Sequence, residues 1–276
     1  MANIKAADVA KLRKATGAGM MDCKNALVES DGDFDKAIDI IRKKGQLIAN
    51  KRADREAAEG VVLAKTNADQ TIGAIVVLNC ETDFVAKNAD FIGLTQKILD
   101  AAIENNAKTL DEVKNLTLDG RTIGEQVLEQ NGIIGEKIEL SYFDRIEATQ
   151  VVSYIHPGNK LATIVGFNEK LSDKQVGEYV AMQIASMAPI AIDKDNVPQS
   201  VIDHELEIGK DQARQAGKPE EMLEKIAMGK LGKFFKENTL LNQAFIKDNK
   251  KSIREYLKEN SENLTVTGFK RFTLNV

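Results

Sequence analysis

Hydrophobic positions recur at helical spacing through residues 1–45, which predicts three short helices in one compact unit. Val9 and Leu12 mark the first, and Cys23, Ala26, Leu27 and Ser30 give the second a narrow stripe. Asp33 is placed to cap the third, where Phe34, Ala37, Ile38 and Ile41 share one face. Between the first two lies Thr16-Gly17-Ala18-Gly19-Met20-Met21, whose glycines allow a sharp turn. The two methionines at its tip suit an adaptable contact surface, although composition alone slightly favours burying both. Residues 46–60 are charged, Ala-rich and free of strong breakers, and predict a connecting helix.

After Gly60 the period changes. Segments 61–66 and 71–78 are rich in β-formers and flank the polar turn Asn67-Ala68-Asp69-Gln70, a hairpin signature. Residues 72–78 are almost all apolar, as in a strand covered on both faces. Helical patterning resumes from Asp90 to about Asn105, and capping boxes at Thr109/Glu112 and Thr122/Glu125 start two short helices. A strand at 137–148 follows, then a second hairpin, 151–156 and 161–167, turned by Pro157-Gly158-Asn159. Ser172 with Gln175 predicts the cap of a helix whose apolar face is Val176, Tyr179, Val180, Ile184 and Met187. Hairpin then helix thus occurs twice, at 61–104 and 151–188, which reads as an internal structural duplication.

Pro198 opens a helix to about Gln215, Gly217-Lys218-Pro219 breaks it, and a second runs to about Lys236. Such a pair forms a protruding helical hairpin. Ser252/Glu255 caps a last short helix, and residues 264–274 alternate as a final strand returning to the sheet. The class is α+β, divided as a three-helix domain (1–45), a connecting helix (46–60), a core N-subdomain (61–148) and a core C-subdomain (149–276) with the hairpin 198–236 inserted. The core sheets are expected to be antiparallel.

With 276 residues, 43% hydrophobic and 29% charged, the chain fits a soluble globular protein of two or three modules. Its apolar runs are too short to span a bilayer, and Met1-Ala2-Asn3-Ile4-Lys5 lacks the features of a secretory leader, so a cytoplasmic location without membrane contact is expected. A net charge of −4 argues against direct nucleic-acid binding. The basic runs Arg42-Lys43-Lys44 and 247–251 are flanked by acids and read as solvated faces. Cys23 and Cys80 have no metal or C-x-x-C spacing, and the histidines, His156 and His204, have no partner at metal spacing. No phosphate-binding glycine motif occurs, so neither a metal nor a cofactor is expected. A Cys80/His156 nucleophilic pair meeting across the sheet is one enzymatic alternative, and the plentiful Asp and Glu leave a carboxylate pair open as well.

The segment Asn79-Cys80-Glu81-Thr82-Asp83-Phe84-Val85-Ala86-Lys87-Asn88 lies where a buried strand ends and a helix has not yet settled, a place for an exposed loop on a rigid support. An acid beside an aromatic there offers a charge that competes for metal-linked water and a hydrophobic wedge. Composition alone favours the plainer role, in which Phe84 staples the helix start to the core.

Residues 12–27 (LRKATGAGMMDCKNAL) and 79–87 (NCETDFVAK) resemble two specific motifs of the elongation factor Ts family. Ser153-Tyr154-Ile155-His156, Gly217-Lys218-Pro219 and Val266-Thr267-Gly268-Phe269-Lys270-Arg271-Phe272 fit it too, so the resemblance covers nearly the whole chain. It implies a ubiquitin-associated-like N-terminal domain, a core of two similar subdomains and a hairpin through which the chain could form a homodimer. It further implies a non-enzymatic guanine-nucleotide exchange factor whose partner is elongation factor Tu in its GDP-bound and nucleotide-free forms. Carried over by motif, Thr82, Asp83, Phe84 and Val85 dislodge Mg2+ from the partner, with Asp83 and Phe84 at the tip. Arg13, Met20, Met21 and Lys24 form an N-terminal docking surface, and His156 contacts the nucleotide-binding domain near the phosphates. Some members carry a further helical module after the final strand, whereas this sequence stops at Val276. The reading from a different class is a binding module whose three-helix domain recognises a ubiquitin-like or nascent-chain partner.

Overall fold

The computed structural model describes residues 4–274. Residues 1–3, part of the stretch read for a leader, and residues 275–276 lie outside the described residues. Three helices come first: α1 (Ala6–Thr16), α2 (Met20–Glu29) and α3 (Phe34–Lys51). Their stripes meet in one cluster built on Val9, Leu12, Cys23, Ala26, Leu27, Ala37 and Ile41. Gly17 makes the α1–α2 turn at φ 73°, a left-handed conformation that other residues adopt only with strain. The Asp33 carboxylate accepts the Lys36 amide, capping α3.

Two expectations fail here. Met20 and Met21 are 44% and 64% exposed, not core. They occupy the first turn of α2, whose inward face is already filled by Cys23, Ala26 and Leu27. The connecting helix at 46–60 does not exist as a separate element. Helix α3 runs unbroken through Gly45 to Lys51, followed by a turn and then by β1 (Glu59–Thr66). Gly45 does not end the helix because its missing side chain is used for packing: a Cβ there would lie 3.4 Å from the Glu129 backbone.

β1 pairs antiparallel with β2 (Ile72–Cys80), setting Val62 opposite Val77. Asn67 closes the turn by accepting the Thr71 and Ile72 amides on its side-chain oxygen. The chain continues through a one-turn α4 (Asp83–Ala86), α5 (Ala89–Glu104), α6 (Leu110–Asn115), the two-residue strands β3 (Thr117–Leu118) and β4 (Arg121–Thr122), α7 (Ile123–Ile134) and β5 (Glu139–Glu147). β5 pairs with β2, giving the sheet order β1-β2-β5. The Thr122/Glu125 capping box is complete.

The second hairpin is β6 (Gln150–Ile155) and β7 (Leu161–Phe167), followed by α8 (Lys174–Met187). The cap of α8 is Asp173, not Ser172: its carboxylate accepts the Gln175 amide. Met187, at the end of the expected apolar face, is 46% exposed. The hairpin of α9 (Gln199–Gln215) and α10 (Glu220–Asn238) is closed through Ala213, Leu223 and Ala227. Then come β8 (Ala244–Phe245), β9 (Asp248–Ser252), α11 (Ile253–Asn260) and β10 (Val266–Thr273). β10 returns to pair with β7, and the second sheet is β10-β7-β6.

The period-2 alternation of the strands decides the layering. Val62, Ala64, Ile75 and Val77 point inward against Val151, Ala162 and Ile164 of the other sheet. Val61, Leu63, Val76 and Leu78 point outward under α5, while Val165 and Phe167 point outward under α8. Two sheets therefore face one another with a helix on each outer side, and the apolar run 72–78 of β2 is covered on both faces. Ile75, fully buried between the sheets, is worth about 2–5 kcal/mol against alanine.

Candidate functional site

β2 delivers the chain from this double-sided core straight into α4, so the loop springs from one of the most buried strands. Ala86 is buried and Val85 half-buried against the outer-face cluster, which leaves Phe84 outside with 83% of its surface exposed. Phe84 is not a staple for the start of α5; Val85 and Ala86 take that place. Asn88 caps α5 through the Asp90 amide. Asp83, beside Phe84, accepts from the Lys87 ammonium at 2.6 Å, one helical turn on. That hydrogen bond, with the charges of Lys87 and Lys160, holds the Asp83 carboxyl below the usual range, and Asp83 raises Lys87 in return.

The loop is gripped from behind. The Glu136 carboxylate accepts the Glu81 and Thr82 amides, both at 3.1 Å, and the Thr82 hydroxyl at 2.7 Å. Glu81 in turn accepts Arg52 at 2.7 Å, Arg55 at 3.2 Å and the Lys137 amide at 2.6 Å. Partial burial works to raise the Glu81 carboxyl, but these donors outweigh it and hold the group below its ordinary value. None of Arg52, Arg55, Glu136 or Lys137 stood out in the sequence, and the one nearby signal is Gly135, the left-handed C-cap that ends α7.

Cys80 is fully buried and its thiol donates to the Thr82 carbonyl at 3.1 Å. Burial, reinforced by the negative charges of Glu136 and Glu59, pushes the thiol up to about 12, so it stays protonated and unreactive near neutral pH. His156 is exposed at the end of β6, where its Nδ1 lies 3.0 Å from the Tyr154 hydroxyl. Cys80 and His156 share no hydrogen bond, and no nucleophilic pair forms. The turn after His156 does reach the loop's neighbourhood: the Val62 amide donates to the Asn159 carbonyl, and Lys160 pairs with Glu59 at 2.8 Å.

The remaining sequence-derived residues lie on the three-helix unit. Arg13 is exposed in the last turn of α1, and Met20, Met21 and Lys24 are exposed in the first half of α2. This unit is anchored to the core through α7, where Glu129 accepts Arg42 at 3.0 Å and also pairs with Arg121. Among the described residues no three His, Cys, Asp or Glu side chains gather to hold a metal, and no helix is long and apolar enough to cross a membrane.

The surface thus carries an exposed aromatic on a tightly held turn and a second exposed apolar patch on an anchored helical unit. The family model described as Elongation factor TS matches residues 81–276, a span that begins at the loop. Elongation factor Ts of Porphyromonas gingivalis is 55% identical over 270 residues, covering 97% of each chain. That of Flavobacterium psychrophilum is 51% identical over 275 residues, covering 99% of this chain and 100% of the relative. Elongation factor Ts of Christiangramia forsetii is 50% identical over the same length and coverage. Similarity of this depth, carried along nearly the whole length of each relative, means that the chain belongs to the elongation factor Ts family.

Proposed function

We propose that the chain is a guanine-nucleotide exchange factor for elongation factor Tu, displacing Mg2+ and promoting GDP release so that GTP rebinds during translation elongation. Family membership supports the partner and the non-covalent character of the event. The observation that carries the finer reading is Phe84, 83% exposed at the tip of α4. Fully burying a ring of this size is worth about 1.5–3 kcal/mol, which the free chain forgoes and a complex recovers. Asp83 beside it brings a negative charge to the same tip. Thr82, Asp83, Phe84 and Val85 together form the segment that disturbs the partner's Mg2+.

Linkage sets the energetics. GDP and Mg2+ support each other on the GTPase, so moving the metal's contacts weakens the nucleotide. The factor lowers nucleotide affinity only as far as it binds the nucleotide-free state better, and the effect is reciprocal. Each tenfold weakening requires about 1.4 kcal/mol of interface energy. One aromatic hot spot supplies about 2–4 kcal/mol, so a change of several decades needs further anchors. Arg13, Met20, Met21 and Lys24 provide one on the GTPase domain, and His156 another near the phosphate side. GTP then rebinds and expels the factor.

The test is GDP release from elongation factor Tu preloaded with a fluorescent GDP analogue. Catalytic amounts of the chain should accelerate it, and Phe84→Ala should slow that acceleration more than tenfold while leaving the fold intact. No acceleration by the unaltered chain overturns the exchange reading. Full speed from Phe84→Ala overturns the wedge.

A further inference from the structure

A one-turn helix cannot fix its own direction. Helix nucleation is unfavourable and α4 is too short to recover it by propagation, so the aim of Phe84 must be set from outside. Thr82 occupies the cap position of α4, yet its side chain caps nothing. Its hydroxyl donates to Glu136 instead, beside the Glu81 and Thr82 amides.

We propose that Glu136 is a positioning residue for exchange: its carboxylate sets the angle at which α4 presents Asp83 and Phe84 to the partner. The inference rests on the reading of Phe84 as a wedge. Helix α7 ends at Gly135 with φ 80°, and this left-handed turn brings the next residue to the loop. Glu136 then takes two amides and a hydroxyl from residues 81 and 82. The very next amide, Lys137, donates back to Glu81. Two carboxylates, each from one loop and each holding the other's backbone, make a reciprocal clasp between segments more than fifty residues apart. Arg52 and Arg55, just beyond α3, close it on the Glu81 side.

The clasp depends on reach and acceptor geometry more than on charge, and that separates a positioning role from a general electrostatic one. In Glu136→Gln the amide oxygen still accepts both backbone N–H groups, and its NH2 donates to the Thr82 hydroxyl oxygen. In Glu136→Asp the charge is kept but the acceptors fall one methylene short. GDP release from elongation factor Tu should therefore show Glu136→Asp with kcat at least tenfold lower and KM within threefold, while Glu136→Gln keeps at least a third of the unaltered rate. Amide hydrogen exchange on the free chain should show Glu81 and Thr82 losing protection in Glu136→Asp while Val76 to Leu78 keep theirs. Glu136→Asp at full rate, or Glu136→Gln as slow as Glu136→Asp, overturns the inference alone. An unaltered chain that leaves GDP release unaccelerated overturns the exchange reading and takes this inference with it.

Discussion

Gly45 of α3 and Gly132 of α7 meet backbone to backbone: a Cβ on Gly132 would stand 2.8 Å from the Gly45 Cα. No side chain fits there unless the two helices part. The contact continues through Glu129, largely buried and paired with Arg42 and Arg121, so one helix of the core carries the three-helix unit. Gly132→Ala should force the helices apart against that ion cluster. Overpacking of this kind costs about 1–3 kcal/mol. The thermal midpoint should fall by roughly 2–4 °C for each kcal/mol lost. A variant melting with the unaltered chain would mean that the seam yields freely and does not fix the N-terminal unit.

Met20 and Met21 lie at the surface outside the three-helix core, 44% and 64% exposed. Truncating both to alanine should move folding stability by no more than about 0.5 kcal/mol. Affinity for nucleotide-free elongation factor Tu should nevertheless fall at least fivefold, measured by titration calorimetry. Unchanged affinity would remove these residues from the proposed docking surface.

What the sequence disclosed and concealed follows from the range of each signal. Both hairpins were legible because runs of β-forming residues are interrupted by polar turns, and β2 showed its double burial as an unbroken apolar run through residues 72–78. The Thr122/Glu125 and Ser252/Glu255 boxes form because nothing nearby competes for the cap. Ser172 loses to Asp173, whose charged carboxylate sits one residue closer to the Gln175 amide. The end of α3 was misjudged because Gly45 is explained by the α7 backbone at Glu129 and Gly132, eighty-four and eighty-seven residues away. The loop itself was legible as a motif. Its support was not: a Glu136 that binds residues 81 and 82 has no periodicity or spacing to mark it.

Cys80 gives a prediction on reactivity. With its thiol pushed up to about 12, the thiolate at pH 8 is scarce in the folded chain. Alkylation by iodoacetamide, followed by peptide mass spectrometry, should be on the order of a thousandfold slower at Cys80 than for a free cysteine. The sign for stability is also fixed. A folded value above the unfolded one contributes stability that is whole below about pH 9 and is lost as pH rises toward about 12. Cys80→Ala should show a shallower alkaline loss than the unaltered chain. Rapid native labelling of Cys80 would contradict the burial on which both expectations rest.

Glu81 titrates in the opposite sense. Its carboxyl is held below the ordinary 4.5 by the Lys137 amide and the guanidiniums of Arg52 and Arg55, against the opposing effect of its own burial. Between the ordinary and the depressed value, the unfolded chain binds a proton that the folded chain refuses, so stability rises with pH across that window. The contribution is therefore complete above about pH 4.5 and disappears as pH falls through the folded value. Glu81→Gln removes the charge that both arginines face, and should be less stable than the unaltered chain at pH 7. On acidification below pH 4.5 the two stability curves should converge, because the unaltered chain loses what the variant never had. Urea unfolding at pH 7, 5 and 3.5 measures the gap directly. A gap that stays constant to pH 3.5 would mean that the arginines and the Lys137 amide do not hold Glu81 in its charged form.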